Sequence, residues 1–522
     1  MWIPILFGVA VFILSVALYD ILQRRHAILR NYPVIGHLRY LLESVGPELR
    51  QYIVTNNDEE RPFSRDQRRW IYSSAKKQNN YFGFGTDNEL ETSPNYLIIK
   101  QAAFPTPEPQ VGEEDYDELH RIGCAKTLGA PRGRRKAFRP ESVFYISAMS
   151  YGSLSGPAIE AINRGVAIAG GLHNSGEGGV SRHHLHGGDL IWQLGTGYFG
   201  ARDRETGRFS MELLKEKSER FGIKAIEIKL SQGAKPGRGG VLPAAKISKE
   251  IAEIRGIPMD KDCISPAAHA EFRCVDSLLD FVERIAEETG LPVGIKSAVG
   301  EEKFWADLAC AMESGERGVD FINIDGGEGG TGAAPRVFSD HVALPFKIGF
   351  SRVFHEFKSR GIDEKVLFMG AGRLGFPEQS ALAFALGVDM IGLAREAMLS
   401  IGCIQALRCH TGHCPAGVAT QNAWLMRGLD PTDKGARMAN YLVTLRKEVM
   451  WLTRALGLNH PSEITLDHFE ILDEAFGTRR ATEVFGRPSP TPLILSPPRE
   501  PSEDLSSPAT KAALVQESAE VP

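Results

Sequence analysis

Short apolar runs recur through the middle of the chain, and glycine, proline or polar residues bound each one. The runs are 143–148, 171–174, 191–195, 225–230, 292–298, 321–326, 366–372 and 390–395. Runs of this length are typical of strands that are buried on both faces of a parallel sheet. Segments of helical character separate most of them, for example 157–169, 275–289, 302–314 and 376–386. This alternation predicts an α/β fold of the (β/α)8 TIM barrel type.

An open doubly wound sheet is the main alternative to the barrel. It would place a G-x-G-x-x-G turn directly after the first strand, but the sequence there is AMSYGSLSG. In a barrel, the active site lies at the C-terminal ends of the strands. Glycine-rich polar segments follow four of the candidate strands, at 174–179, 231–240, 325–335 and 370–375. Their clustering indicates a large ligand that backbone amides approach closely.

The N-terminus begins with an apolar segment. Residues 2–19 are 18 consecutive uncharged positions, which as a helix would span about 27 Å, enough for a tilted crossing of a bilayer. Arg24, Arg25 and Arg30 follow, so the positive-inside rule places the rest of the chain in the cytoplasm. We therefore expect a single-pass membrane anchor at 1–20. A cleaved signal peptide and a buried N-terminal helix are the alternatives.

Composition divides the rest of the chain. Residues 21–140 mix polar and short apolar stretches, which predicts an irregular extension that packs on a barrel domain at 141–484. From 485 to 522 proline and serine dominate, which is typical of a disordered tail. The formal net charge of −5 leaves no basic footprint for nucleic acid.

Three of the seven cysteines are closely spaced, as Cys403-x5-Cys409-x4-Cys414. Thiolates are preferred ligands of iron–sulfur clusters, and three in a short loop suit a cluster that lacks one iron. Structural zinc with His410 or His413 as a fourth ligand is an alternative, as are three unrelated buried thiols. An odd cysteine number in a long chain argues against a disulfide scaffold. Four cysteines without such spacing are expected to be packing residues: Cys124, Cys263, Cys274 and Cys310.

Several long motifs occur in one order between about 140 and 470. They are ISAMSYGSLSGPA, LHNSGEGGVSR, EIKLSQGAKPGRGG, ISPAAH, GIKSAVG, IDGGEGGTGAAP and GCIQALRCHTGHCPAGVATQ. In these motifs the chain resembles the FMN-binding synthase domain of glutamate synthase, as a stand-alone member. The resemblance implies a (β/α)8 barrel that carries FMN and a 3Fe-4S cluster, with the three spaced cysteines as cluster ligands.

Candidate site residues follow from the motifs. Lys296 ends an apolar strand, where it could stabilise negative charge on a reduced flavin, although a structural ion pair is the alternative. Arg395 lies at the usual phosphate position of a barrel, or is a surface helix residue. The resemblance assigns catalytic roles to Lys296, Glu177, Gln232 and Lys235. It assigns cofactor binding to Ser147, Ala148, Met149, Ser150, Asn174, Gln232, Lys296, Asp325, Gly326, Gly327, Gly370, Gly372, Gly392 and Arg395.

The implied reaction is reductive amination of a 2-oxo acid, by family precedent 2-oxoglutarate with ammonia giving glutamate. Electrons would come from an external donor, a ferredoxin or a flavoprotein reductase subunit, through the cluster to FMN. Because an apolar segment stands at the N-terminus, we expect no glutaminase domain before the barrel. Three family motifs are altered, at Arg238, at Lys296–Gly300 and at Pro266–Glu271. The alternatives are therefore a membrane-associated FMN oxidoreductase acting on another amino or oxo acid, and a non-catalytic barrel scaffold.

Overall fold

Eight parallel strands close into a barrel in chain order. They are β1 (Phe144–Ile146), β2 (Leu172–Asn174), β3 (Asp189–Leu194), β4 (Ile223–Lys229), β5 (Val293–Ser297), β6 (Phe321–Asp325), β7 (Leu367–Ala371) and β8 (Met390–Leu393). The last strand pairs with the first, with Ile391 opposite Phe144. Each strand overlaps one of the eight predicted apolar runs, although β3 and β4 begin two residues earlier than predicted, so the predicted (β/α)8 barrel is confirmed.

The computed structural model describes residues 2–23, 25–90, 93–113, 115–473 and 477–486. The predicted disordered tail at 485–522 lies outside the described residues, apart from 485 and 486. The α-helices are Trp2–Leu22, Ala27–Asn31, Gly36–Leu49, Arg65–Ala75, Gly156–Ala169, Met211–Arg220, Lys249–Arg255, Val275–Thr289, Lys303–Met312, Arg336–His341, Phe346–Ser359, Pro377–Leu386, Arg395–Ser400, Ala423–Met426, Pro431–Ala455 and Ala481–Phe485.

Shorter elements connect or flank the barrel. Single turns of 3-10 helix are Ala130–Arg132, Arg182–His184, Ala244–Lys246, Asp363–Lys365, Pro461–Glu463 and Leu466–His468, and a π-helical turn is Arg50–Val54. Val241–Leu242 pairs with Cys263–Ile264, and a three-stranded sheet joins Leu97–Ile99, Phe469–Leu472 and Thr478–Arg480.

Side chains fill the barrel interior in layers. The layer nearest the N-terminal ends of the strands is apolar, because inward positions such as Leu172, Phe321 and Met390 form one buried cluster. Cys124 and Leu128, which precede β1, belong to the same cluster. The interior is therefore a packed core at this end, as in other TIM barrels, and polar inward residues are confined to the other half.

The long helix Pro431–Ala455 packs along the first barrel helix, Gly156–Ala169. A Cβ atom on Gly165 would lie 2.5 Å from the Met438 Cβ, so only glycine permits this close approach. Arg446 is buried and donates hydrogen bonds to the carbonyl oxygens of Ala169 and Gly170 and to the Ser142 hydroxyl. Arg446 thus satisfies carbonyls at the end of the first barrel helix.

The segment before the barrel is more regular than predicted. The prediction of an irregular extension is wrong, because helices occupy Gly36–Leu49 and Arg65–Ala75. The second begins with a capping box between Ser64 and Gln67, which satisfies its first amides. Its Trp70 packs against Phe376 and Tyr441 of the barrel domain. The extension therefore packs on the barrel domain, as expected.

The apolar N-terminal segment forms one helix, Trp2–Leu22. Its side chains are almost all exposed, and by length and composition it could cross a membrane. A signal sequence has the same properties. The predicted anchor therefore has a helix of the right length, two residues longer than the predicted boundary at 20.

The four unpatterned cysteines do not share one environment. Cys124 and Cys263 are buried, as predicted. Cys274 and Cys310 are exposed, so the prediction that they are packing residues is wrong. Cys274 is the residue before helix Val275–Thr289, where its thiol lies 3.3 Å from the Ser277 hydroxyl. Cys310 lies on the outer side of helix Lys303–Met312.

Candidate functional site

Three predicted site residues meet at the mouth of the barrel, which we define as the C-terminal ends of β1–β8. Lys296 of β5 is only 4% exposed. Its Nζ lies 3.4 Å from the Ser147 hydroxyl and 3.6 Å from Asp325 Oδ1. The other carboxylate oxygen of Asp325 accepts a hydrogen bond from the Gly233 amide at 2.8 Å. Lys296 therefore forms an ion pair with Asp325, which was the alternative to a site role, and its ammonium also lies at the mouth.

A second cluster lies beside the first, around Lys229 of β4, which stands opposite Lys296 in the sheet. The Lys229 ammonium lies 3.1 Å from the Glu177 carboxylate and donates to the Gln232 side-chain oxygen at 2.6 Å. Lys235 is buried and donates to the Gly239 carbonyl at 2.9 Å. The predicted catalytic residues thus fall into two adjoining clusters. Lys296 lies in the first, and Glu177, Gln232 and Lys235 lie in the second, around Lys229.

Charge sets the protonation of the second cluster. Burial raises the pKa of Glu177, but Lys229, helped by Arg255 and Lys235, outweighs it and leaves this pKa below its ordinary value. Burial lowers the pKa of Lys235, against the opposing effect of Glu177. At neutral pH the mouth therefore holds an ionised carboxylate that keeps Lys229 in place.

The loop after β1 passes over the same end of the barrel. The Ser147 amide donates to the Leu393 carbonyl of β8 at 2.9 Å, and Met149 is buried. Ala148 is half-buried, and the Ser150 hydroxyl lies 3.1 Å from that of Ser153. The segment 147–150, which was predicted to face the flavin, therefore lies at the mouth. Its first residue, Ser147, is hydrogen-bonded to β8 through its amide and contacts Lys296 through its hydroxyl.

A buried polar layer lies beneath the mouth. Glu227 of β4 is fully buried, and its carboxylate accepts hydrogen bonds from the side-chain amides of Asn174 at 2.8 Å, Gln193 at 2.5 Å and Asn323 at 2.7 Å. Each donor comes from a different strand, so this carboxylate joins β2, β3, β4 and β6. Of the four residues only Asn174 was predicted as a site residue.

A signal for the missed members was present in the sequence. Gln193, Glu227 and Asn323 each interrupt an apolar strand at an inward position, two residues from another inward residue. A polar side chain in a strand buried on both faces is costly unless it has partners. Three such interruptions at one level of the barrel predict a buried network.

The predicted cofactor glycines pack against the protein itself. Cβ atoms on Gly370 and Gly372 would lie 2.5 Å from Phe346 atoms, and one on Gly392 would lie 2.7 Å from the Tyr145 hydroxyl. The amides of Gly326 and Gly327 donate to the carbonyls of Ala371 and Leu344. Close internal packing thus accounts for these five glycines, and their contact with a cofactor stays a prediction.

Two arginines follow β7 and β8 at the predicted phosphate position. Arg373 and Arg395 both stack on the Phe63 ring, with guanidinium carbons 5.4 and 5.3 Å from its centre. Arg395 donates to the Glu328 carbonyl at 2.5 Å, and Arg373 Nε has no partner among the described residues. The alternative of a surface position for Arg395 is therefore wrong, because Phe63 and the loop at Glu328 cover it.

The two guanidiniums fit an anionic group. Burial lowers the pKa of Arg395 and also that of Arg373, which the neighbouring Arg395 lowers further. The carboxylates of Glu396 and Glu328 oppose this lowering of both pKa values, although neither forms an ion pair with these guanidiniums among the described residues. Two like charges side by side in a half-buried place therefore favour an additional anion. Arginine forks match the geometry of phosphate oxygens. The donor set at this place therefore suits the phosphate of a nucleotide-type cofactor. Sequence reasoning missed Arg373, although the GAGRLG motif contains it.

The three spaced cysteines lie on one loop, residues 403–414, which we call the cysteine loop. Burial, together with the neighbouring Cys409 and Cys414, raises the pKa of Cys403 to about 12. The three thiols therefore lie near one another, which suits a thiolate-ligated cluster. Within the described residues, however, no group of three Cys, His, Asp or Glu side chains stands at metal-binding distances. The ligand set stays a prediction, supported by the chemistry of the donors.

Residues of the extension hold the cysteine loop. Tyr72 donates its hydroxyl hydrogen to the Cys403 carbonyl at 2.7 Å. The side chain of Gln405 donates to the Glu60 carboxylate at 2.9 Å and to the Phe63 carbonyl at 3.0 Å. Lys246, from the barrel domain, donates to the Cys409 carbonyl at 2.9 Å. No sequence pattern had connected these residues to the loop.

The altered family motifs have structural partners. His269 Nε2 lies 2.9 Å from the Lys229 carbonyl, and its other ring nitrogen lies 3.1 Å from the Tyr198 hydroxyl. Burial lowers the pKa of His269 to about 4, so the ring is neutral and positions the end of β4. Arg238 is exposed and stacks over Phe338, and Glu271 pairs with Arg284. None of these three side chains contacts Lys296.

Comparison with known proteins finds one matching family and several similar proteins. The family model for the conserved region in glutamate synthase matches residues 125–459. A glutamate synthase large subunit-like protein, YerD, of Bacillus subtilis is 40% identical over 85% of this chain and 90% of its own. The archaeal-type glutamate synthase [NADPH] of Thermotoga maritima is 34% identical over 66% of this chain, which spans 64% of that relative. A mandelate oxidase structure aligns over 84% of this chain and 99% of its own, at 13% identity and a TM-score of 0.40.

Proposed function

The chain belongs to the glutamate synthase family, and from this premise we propose that it is an FMN- and 3Fe-4S-dependent oxidoreductase. The proposed reaction is the reductive amination of a 2-oxo acid, with electrons from an external donor. The observation that carries the proposal is the meeting of Lys296, Ser147 and Asp325 at the same end of the barrel as the half-buried pair Arg373 and Arg395.

In this proposal the two arginines hold the FMN phosphate. The loop 147–150 and the inward face of Lys296 line the remainder of the cofactor site, with Asn174 and Asp325 beside them. FMN, when bound, supplies the hydride chemistry that no side chain of the chain can supply. The buried Lys296 ammonium then stabilises negative charge in the site, where the low dielectric strengthens its effect.

The substrate class follows from the charges of the mouth. Lys229, Lys235 and Lys296 bring three ammonium groups against the carboxylates of Glu177 and Asp325. A 2-oxo acid brings at least one carboxylate to this excess of positive charge. Among the described residues, the Lys235 ammonium donates to the Gly239 carbonyl alone, so in this proposal it can also orient the substrate carboxylate. Glu177 acts through Lys229 and positions that ammonium.

The cysteine loop is the proposed place of electron entry. Cys403, Cys409 and Cys414 would hold the 3Fe-4S cluster. Their place on one short loop, with Cys414 buried and the other two half-buried, supports this assignment. The donor would be a ferredoxin or a reductase subunit. We further propose that helix Trp2–Leu22 is an uncleaved single-pass anchor with the barrel on the cytoplasmic side. The extension, the barrel domain at 141–484 and the tail from 485 would follow it.

An anaerobic assay of the full chain in detergent tests the reaction. The protein is reduced with dithionite, and 2-oxoglutarate with ammonium is added while flavin absorbance and glutamate are recorded. We expect flavin reoxidation and glutamate in equal amounts. Reoxidation that gives no glutamate would overturn the amination. A panel of other 2-oxo acids, with glutamine as a second ammonia donor, completes the test.

A different amino or oxo acid is the second candidate function. It is favoured by the altered motifs, since His269 is neutral and turned to the Lys229 carbonyl and Arg238 stacks on Phe338 away from Lys296. The same panel separates the two candidates, because only the identity of the acid that reoxidises the flavin differs. A non-catalytic scaffold would bind neither FMN nor iron.

A further inference from the structure

Helix Gly36–Leu49 carries an apolar stripe that no described residue covers. Leu38, Leu41, Leu42, Val45 and Leu49 are between 40% and 58% exposed. Their spacing of i, i+3, i+4, i+7 and i+11 places all five on one face of the helix. Five large apolar side chains on one face form a contiguous patch rather than scattered exposure.

The start of this helix is tied to the end of the apolar helix Trp2–Leu22. The Asp20 carboxylate is fully buried and accepts a hydrogen bond from the Val34 amide at 2.9 Å. The same carboxylate lies 2.9 Å from His37 Nε2 in the first turn of the stripe helix. Asp20 lies within the last turn of the apolar helix, so the stripe begins beside the end of that helix.

The other end of the stripe helix is tied to the cysteine loop. The Tyr52 hydroxyl donates to the Ile404 carbonyl at 3.0 Å, and Glu48 pairs with Arg408. The loop itself exposes Leu407, which is 60% exposed, and Ile404, which is 39% exposed. The apolar patch therefore continues from the helix to the loop that bears the three cysteines.

We propose that helix Gly36–Leu49 lies in the interface of a lipid bilayer, with its stripe among the acyl chains, and holds the cysteine loop at the membrane surface. The inference rests on the proposed anchor, because an apolar helix that spans a bilayer fixes the depth of whatever is bonded to its end. Arg50 is exposed and directly follows Leu49, the last residue of the stripe, where it can contact anionic headgroups.

Lipid fits the patch better than a protein partner does. The patch adjoins a helix that is itself long and apolar enough to enter a bilayer. The opposite side of the stripe helix is polar, with the exposed ion pair of Arg39 and Glu43. An amphipathic helix with this division lies in the plane of the interface. A partner that meets the cysteine loop would then approach it along the membrane.

Hydroxyl-radical footprinting of the full chain in lipid nanodiscs tests the proposal. The discs hold one chain each, in phosphatidylcholine with phosphatidylglycerol, so no protein partner can give protection. We expect Leu38, Leu42, Val45 and Leu407 to label at least about five-fold more slowly than Val337 and Ile264, which are 56% and 69% exposed. Equal labelling of both groups would overturn the proposal.

The anchor has its own readout in the same experiment. Protection of Phe7 and Phe12 with free labelling of the stripe would leave the anchor intact and refute the interfacial helix alone. Free labelling of Phe7 and Phe12 would refute the anchor.

A pair of matched variants tests whether the stripe holds the loop at the lipid. Leu42→Glu places a charge within the stripe, and Ser44→Glu places the same charge on the polar side. We expect Leu42→Glu to raise the labelling of Leu407 at least about three-fold, while Ser44→Glu leaves it unchanged. A Leu407 labelling rate that is the same in both variants would contradict the proposal.

Discussion

Side chains at the mouth of the barrel reach the site from paired strands, whereas the cysteine loop depends on side chains from a distant segment. Lys229, Lys296 and Asp325 lie at or next to the last residues of neighbouring strands, and the hydrogen bonds between these strands fix the spacing of the three side chains. The cysteine loop takes a hydrogen bond from Tyr72, 331 residues earlier in the chain. The mouth is thus set by the barrel itself, and the loop by an extension packed against it.

This difference has an energetic consequence. A change at Glu227, beneath the mouth, acts on the network that joins four strands, so its effect reaches the stability of the barrel. A change in the extension should act on the cysteine loop first and leave the barrel folded, because local openings follow the contacts of each unit.

The largest expected effect is that of Glu227→Leu. It leaves the amides of Asn174, Gln193 and Asn323 without their acceptor, at about 1 kcal/mol or more for each. We expect unfolding in denaturant to show a loss of about 3 kcal/mol. The exposed Glu216→Leu is the control and should change stability by less than about 0.5 kcal/mol. A loss below about 1 kcal/mol for Glu227→Leu would show that the network does not hold the strands together.

Lys296→Met separates catalysis from stability at the mouth. The variant keeps the length of the side chain and removes the charge, so we expect the rate of substrate-dependent flavin reoxidation to fall about 100-fold. The melting temperature should change little, since Asp325 keeps its bond from the Gly233 amide. Lys303→Met, at an exposed ion pair, is the control. Wild-type rates for Lys296→Met would remove Lys296 from the catalytic machinery.

Sequence reasoning recovered the barrel and the strand ends because both follow local rules. Each strand repeats the same pattern of a short apolar run between turns, and polar residues at strand ends meet by topology alone. Lys296 was found in this way, whereas Ser147 and Asp325 came from the family resemblance. The barrel helices Gly156–Ala169, Val275–Thr289 and Pro377–Leu386 lie within one residue of the segments that the same alternation predicted.

The residues that sequence reasoning missed depend on contacts between distant segments. Arg373 is recognised as a neighbour of Arg395 because Phe63, from the extension, contacts both arginines. Tyr72 and Gln405 are likewise separated by more than 300 residues of chain from their hydrogen-bond partners, Cys403 and Glu60. The helices of the extension were missed because a polar, uneven composition hid the stripe of Gly36–Leu49. Only the packed structure brings such residues together.

Tyr72→Phe tests the cysteine loop, where we expect a smaller effect than at the mouth. It removes one hydrogen bond to the Cys403 carbonyl, worth about 1 kcal/mol. We expect the iron content of the purified chain to fall while FMN content and the melting temperature of the barrel stay near wild type. The control is Tyr81→Phe, at an exposed position. Equal loss of FMN and iron in Tyr72→Phe would show that the two regions are not independent.

The smallest expected effect is a pH dependence at Glu177. Its pKa lies below the ordinary value of 4.5 in the folded chain, chiefly because Lys229 outweighs the effect of burial. A carboxyl with a depressed pKa stabilises the fold above pH 4.5, and this contribution disappears as the pH falls through the folded-state pKa. The melting temperatures of wild type and Glu177→Gln should therefore converge on acidification. If the difference between the two melting temperatures grew on acidification, the pKa of Glu177 would not be lowered in the folded chain.

The most direct test of the central claim is the flavin content of the full chain. Purified protein is denatured, the released flavin is identified, and its amount is compared for wild type and Arg395→Met. The account predicts about one FMN per wild-type chain and a large loss in Arg395→Met, with both proteins folded. A wild-type chain that holds no FMN, and takes up none when the free cofactor is added, would contradict it.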